Sequence, residues 1–165
     1  MTFAAKRTTL LMLITLTIGC DRVTKHYAAS TLVGEPGQSY LADTVRLEYA
    51  ENTGGFLGLG EDWPPAVRTG LFTIGTGLIL LLTIAVAVRW TWSGAALVGL
   101  SLFVAGGASN LADRLARGSV IDFLNVGLGP LRTGIFNVAD MAVLLGVFIL
   151  AIAQARSDER PKAAP

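Results

Sequence analysis

The 165-residue chain has one cysteine and one histidine. A single thiol excludes an intramolecular disulfide framework and any multi-thiolate zinc site. A single imidazole, His26, excludes a histidine-rich metal centre and the paired-histidine helix motif of metalloproteases. Charge is scarce as well: 15% of residues are charged, where a soluble domain carries about a quarter. The net charge of +1 leaves no broad basic face for nucleic acid. Polar chemistry must come from Asp, Glu, Asn, Ser, Thr, Lys and Arg.

Hydrophobic residues make up 52% of the chain and gather in four runs. The first follows Lys6-Arg7 and extends from Thr8 to Gly19, reaching the ~20 residues of a span only by taking in Asp21, Arg22 and Lys25. Thr69 to Val88 and Trp90 to Ala112 are uncharged, and Thr133 to Ala155 holds one charge, Asp140. Lipid leaves backbone polar groups no partner outside the segment, so runs of this length must be helices. The expectation is an all-α membrane protein with four transmembrane helices. Residues 1–156 form one domain, and the polar stretch 157–165 is a disordered cytoplasmic tail. Lys6, Arg7, Arg89, Arg156, Arg160 and Lys162 flank the runs on one side, which places both termini in the cytoplasm. Arg114, Arg117 and Arg132 vote the other way.

Four spans send the end of helix one, the loop 30–66, the end of helix three and the start of helix four to one face. In that loop Thr44 to Tyr49 alternates polar and apolar, the period of a half-buried strand. Asn52-Thr53-Gly54-Gly55 reads as a turn, with Phe56 to Leu59 as the returning strand. This gives a small periplasmic β-element between helices one and two. Trp63-Pro64-Pro65 suits an interfacial entry into helix two.

Asp140 is the sharpest chemical signal. A charge at the start of an apolar helix costs several kcal/mol unless paired or hydrated, which marks it as a functional candidate; the plain alternative is a carboxylate stabilised by a helix N-terminus. Asn137, three residues earlier, is placed to hydrogen-bond it. Asp122 sits between Ile121 and Phe123, either against membrane or protein or as a solvated loop residue. Asn110, Asp113, Arg114 and Arg117 form a set at helical spacing, with Asp113 and Arg117 read as an i,i+4 pair. Asp21 and Lys25 make a second such pair. Ala105 to Ser109 are all small and let another helix approach closely. Cys20 reads as a small buried hydrophobe. Two carboxylates held together share a proton. The ionised member takes a proton from water while the protonated member hydrogen-bonds a carbonyl, which is peptide hydrolysis without a metal or a covalent intermediate. Asp122 and Asp140 are spaced so that they can meet at the membrane edge.

Four blocks carry a family resemblance: Asp21-Arg22-Val23-Thr24-Lys25; Asn52-Thr53-Gly54-Gly55-Phe56; Asn110-Leu111-Ala112-Asp113-Arg114 through Val120-Ile121-Asp122-Phe123; and Phe136-Asn137-Val138-Ala139-Asp140. In this order, over about residues 8 to 155, the chain resembles the lipoprotein signal peptidases (signal peptidase II). The resemblance implies an intramembrane aspartyl endopeptidase with Asp122 and Asp140 as catalytic pair. Asn52, Gly54, Asn110, Asp113, Arg114, Asn137 and Ala139 would line or support the site, with Asp21 and Lys25 bracing it. It implies diacylglyceryl-prolipoprotein substrates cut just before the lipidated cysteine. It also implies a site near the periplasmic leaflet of the bacterial inner membrane, with membrane lipids as surroundings. No metal or other cofactor and no nucleic acid are expected, and the chain is expected to act as a monomer. Ser109 and Gly55 depart from the family's usual Gly and Ala. The alternative is a catalytically inactive or divergent lipopeptide-binding paralogue. A rival for the N-terminus treats Thr17-Ile18-Gly19-Cys20 as a lipobox, which would remove the first helix. A proton- or ion-coupled transporter using Asp140 is opposed by the lack of an internal repeat.

Overall fold

A computed structural model describes residues 3–158, with side chains from Thr8 to Arg156. The chain runs through helix α1 (Phe3–Thr31), strands β1 (Gln38–Tyr40) and β2 (Val45–Asn52), and helix α2 (Pro65–Arg89). It continues through helix α3 (Gly94–Arg117), strands β3 (Val120–Leu128) and β4 (Leu131–Arg132), and helix α4 (Val138–Asp158). Among the described residues, α2, α3 and residues Val138–Arg156 of α4 are long and apolar enough to cross a membrane. Their outer faces expose Leu78, Leu81, Leu82, Leu144 and Phe148, the reverse of a soluble surface and the arrangement lipid requires. The 29-residue α1 is long enough to span, but it carries the three charges noted above. Of the expected tail, 159–165 lie outside the described residues, and α4 continues through Asp158, two residues past the expected boundary.

Local chemistry fixes the helix ends. Pro65 sits at the first turn of α2, where its missing N–H costs nothing and its ring presets the helical φ. The helix then passes through a π-helical stretch, Thr69–Gly75. Ser93 caps α3 by accepting from the Ala96 N–H at 3.2 Å. Gly118 ends α3 in the left-handed conformation, φ 78°, and its N–H donates to Arg114 O, a geometry suited to glycine. The small residues of α3 act as expected. A Cβ on Gly99 would lie 2.8 Å from Gly146 O of α4, and one on Gly107 would lie 2.8 Å from the Leu80 side chain of α2. The backbones therefore approach at glycines, as membrane helices do.

The sheet is antiparallel throughout, in the order β1-β2-β3-β4. It corrects two expectations. The partner of β2 is β3, from the connection between α3 and α4, with Ala50 opposite Asp122 and Asn52 opposite Val120. The segment expected to return as a strand is instead a 3-10 turn, Phe56–Gly58, in which Leu57 takes φ 57°. Gly55 N–H donates to Leu59 O across it, so the turn closes on itself rather than entering a ladder. The two-residue period of β3 does the sorting. Ile121 and Phe123 pack with Ala28 of α1 and Leu32 just past its end, and Asp122 between them points to the opposite face.

Candidate active site

The chain approaching α4 runs back along β3. Phe136 and Leu124 exchange backbone hydrogen bonds of 2.8 Å in both directions, which sets Asn137 beside Asp122. Asn137 is fully buried and caps α4 reciprocally. Its Oδ1 accepts from the Asp140 N–H at 2.9 Å, and its own N–H donates to Asp140 Oδ2 at 3.2 Å. This is a capping box built from Asn and Asp, satisfying two orphan donors of the helix start. The Asn137 amide is then free to turn outward, and Nδ2 donates to Asp122 Oδ1 at 2.6 Å. One residue thus holds both aspartates. The expected Asn137–Asp140 contact is present, in the form of a helix cap.

Asn52 holds Asp122 from the sheet. It lies diagonally across the β2–β3 ladder, on the same face. Its Nδ2 donates to Asp122 Oδ2 at 2.9 Å and to Gly55 O at 2.8 Å, and its Oδ1 accepts from the Gly54 N–H. Arg114 donates to Gly54 O at 2.6 Å, tying the turn to α3. A Cβ on Gly54 would fall into the Leu59 carbonyl oxygen, so only glycine fits there. Asn110 on α3 reaches the other carboxylate, donating from Nδ2 to Asp140 Oδ1 at 2.8 Å. Ala139 is fully buried and contributes through its backbone.

Behind the aspartates lies a buried ion network. Lys25 Nζ is 2.8 Å from Asp21 Oδ2, 2.8 Å from Asp113 Oδ2 and 2.7 Å from Asn110 Oδ1. The Asp21–Lys25 pair is as expected. The Asp113–Arg117 pair is not: Asp113 turns across to α1, where Arg22 Nη1 and Lys25 hold it, while Arg117 is exposed. A buried carboxylate needs full pairing, and the cations of α1 supply it inside the bundle. Asp21 also accepts from Ser109 Oγ at 2.6 Å and from the Ala139 N–H at 2.9 Å, satisfying one more free donor at the start of α4. Sequence reasoning gave Arg22 and the Ser109 hydroxyl no part in this. Arg22 lies in the Asp21–Lys25 block, but only cross-helix contact shows its partner. Cys20, expected to be buried, is exposed on α1 with a free thiol.

The aspartates face different spaces. Asp140 is half-buried and opens on an apolar cavity of about 240 Å³ between α2, α3 and α4, walled by Phe56, Phe72, Ile79, Leu80 and Val143. Asp122 borders a cavity of about 120 Å³ on the sheet side, with Asn52, Leu57 and Glu61. A larger cavity of about 450 Å³, near Trp90 and Trp92, lies at the far end of the bundle with no carboxylate in its walls. Burial pushes the Asp122 carboxyl up to about 6, and the charge of Asp140 adds to the rise, against hydrogen bonds from Asn52 and Asn137. Among the described residues no cluster of His, Cys, Asp and Glu is arranged to hold a metal ion.

The family model described as signal peptidase (SPase) II matches residues 13–156. The curated lipoprotein signal peptidase of Desulforapulum autotrophicum is 33% identical over 141 residues, covering 85% of this chain and 87% of that protein. Its counterpart from Syntrophus aciditrophicus is 33% identical over 153 residues, covering 89% and 93%. A solved bacterial membrane enzyme superposes with a TM-score of 0.82 at 23% identity, covering 96% of this chain and 94% of that one. At that identity the likeness speaks for the fold alone.

Proposed function

Because the chain belongs to the signal peptidase II family, and is therefore an aspartic-type peptidase, we propose that Asp122 and Asp140 are its catalytic pair. The observation that carries this is their convergence on Asn137, which hydrogen-bonds both. The charge of Asp140 acts on the Asp122 carboxyl, and two carboxyls coupled in this way titrate as a pair. The ionised member takes a proton from a water as its oxygen attacks the scissile carbonyl. The protonated member donates to the carbonyl oxygen as it becomes negative. Collapse of the tetrahedral adduct breaks the C–N bond, the amine leaves with a proton from the pair, and the peptide carboxylate remains. Every atom of the products comes from peptide and water.

The substrate is a prolipoprotein signal peptide, cut before the diacylglyceryl-modified cysteine. The apolar cavity beside Asp140 suits a lipid-facing substrate, and the smaller cavity beside Asp122 opens to the polar side. Asn52, Asn110 and Asn137 orient the pair; Asp21, Lys25, Asp113 and Arg114 brace those residues. In this reading α1 is the fourth span, with its charges turned inward to α3 and α4 rather than to lipid. Both termini are cytoplasmic, the site lies near the periplasmic leaflet of a bacterial inner membrane, and the chain works as a monomer. Membership of the family does not favour the inactive lipopeptide-binding alternative. The test is cleavage of a purified diacylglyceryl-prolipoprotein by the parent chain, Asp122→Asn and Asp140→Asn. Each variant should lose at least ~10³-fold in rate while keeping its helical content. Full activity in either would remove that aspartate from the reaction.

A further inference from the structure

A further cavity, about 340 Å³, opens at the same end of the bundle and is not used by the proposed reaction. Its walls include Thr53, Arg68, Thr69, Thr73, Arg114 and Leu115. Two arginines and three threonines line it, and no carboxylate is among its lining residues. Among the described residues Arg22, Lys25, Arg46 and Arg132 all stand in ion pairs, whereas neither Arg68 nor Arg114 does. Arg114 Nε is buried and has no hydrogen-bond partner among the described residues, a state that costs stability. Arg68, which has no ion-pair partner among the described residues, and the three hydroxyls suit an anion with several oxygens. The wall on the α2 side is the π-helical stretch, a distortion often found at functional sites.

The setting narrows the anion. Pro65 and Thr69 are at the beginning of α2, and Leu115 lies in the last turn of α3. The cavity is therefore at the level where two apolar spans end and where lipid headgroups lie. We propose that it binds the phosphodiester of an anionic phospholipid from the leaflet on the sheet side. The site reaches the reaction centre through backbone. Arg68 donates to Thr53 Oγ1 and Arg114 to Gly54 O, and these two residues belong to the turn on which Asn52 holds Asp122. A bound phosphate steadies both guanidiniums and, through them, that turn.

The test uses the full chain in detergent, titrated with dioleoylphosphatidylglycerol and read by native mass spectrometry. Dioleoylglycerol, which lacks the phosphate, and inorganic phosphate serve as comparison probes. One phosphatidylglycerol should be retained and dioleoylglycerol should not. Arg68→Gln, and separately Thr69→Val with Thr73→Val, should each weaken retention by about tenfold. The threonine variant leaves the Arg68 hydrogen bonds in place, so the result does not depend on Arg68→Gln folding normally. Equal retention in the threonine variant, or of dioleoylglycerol, overturns the site. Displacement of the lipid by inorganic phosphate at comparable concentration overturns the lipid assignment.

Discussion

Lys25 Nζ lies 2.7 Å from Asn110 Oδ1, and this bond decides which way the Asn110 amide faces. An ammonium only donates, so the amide oxygen is held toward Lys25, where Asn137 Nδ2 also reaches it at 3.2 Å. The NH2 group is left to face Asp140. A cation on α1 thereby sets a donor on α3 that holds a carboxylate on α4.

Lys25→Met should be the most destabilising change in this network. It leaves Asp21 without a positive partner and Asp113 with Arg22 alone, both carboxylates being at most 1% exposed, a loss of about 3–5 kcal/mol for a broken buried pair. Thermal unfolding in detergent should show a large fall in midpoint. A variant as stable as the parent would mean that water reaches the pair.

Asn137→Ala tests the joint hold on the two aspartates. The helix cap costs about 1 kcal/mol, so the protein should fold. The turnover number should fall by about 10²-fold or more, because the carboxyls lose their common donor. A change confined to KM would place Asn137 in substrate binding instead.

The raised Asp122 carboxyl gives a pH signature. Its folded value of about 6 exceeds the unfolded value of about 3.9, so the native state binds the proton more tightly. The stabilisation is therefore fully present below about pH 4 and is lost as pH rises through about 6, on the order of 3 kcal/mol. The Asn52 hydrogen bond favours the ionised form and lowers the value. Asn52→Ala should accordingly move the limb of the cleavage profile set by the pair to higher pH. A limb that stays in place would show that another group titrates there.

Asp140 was legible because a charge in an apolar run violates the composition around it. Asp122 was ambiguous from its neighbours, and the family resemblance singled it out. The structure adds the reason it is buried: it alternates with Ile121 and Phe123, which pack on α1. Patterns within one helix misled where a partner on another helix competes more strongly, as with Asp113, drawn away from Arg117 by Arg22 and Lys25. The β2–β3 pairing was missed because it joins segments some 70 residues apart, and nothing local to either strand names its partner. Alternation in Thr44 to Tyr49 was a true strand signal, but Phe56 to Leu59 had no comparable period and became a turn.

That turn allows a sharp comparison between adjacent glycines. A Cβ on Gly54 would overlap the Leu59 carbonyl oxygen and lie 3.0 Å from the Glu61 nitrogen, and backbone cannot yield without opening the turn that Asn52 and Arg114 hold. A Cβ on Gly55 meets instead the Phe72 ring at 2.7 Å, a side chain that can swing although it stacks on Trp63 with centroids 6.1 Å apart. Gly54→Ala should therefore lower cleavage by about 10²-fold or more by displacing the turn. Gly55→Ala should cost about tenfold at most, and partial relief should follow from Phe72→Leu in the same chain, since the smaller side chain makes room. Equal losses in Gly54→Ala and Gly55→Ala would mean that the turn yields as a whole, and the separate roles assigned to the two glycines would fall.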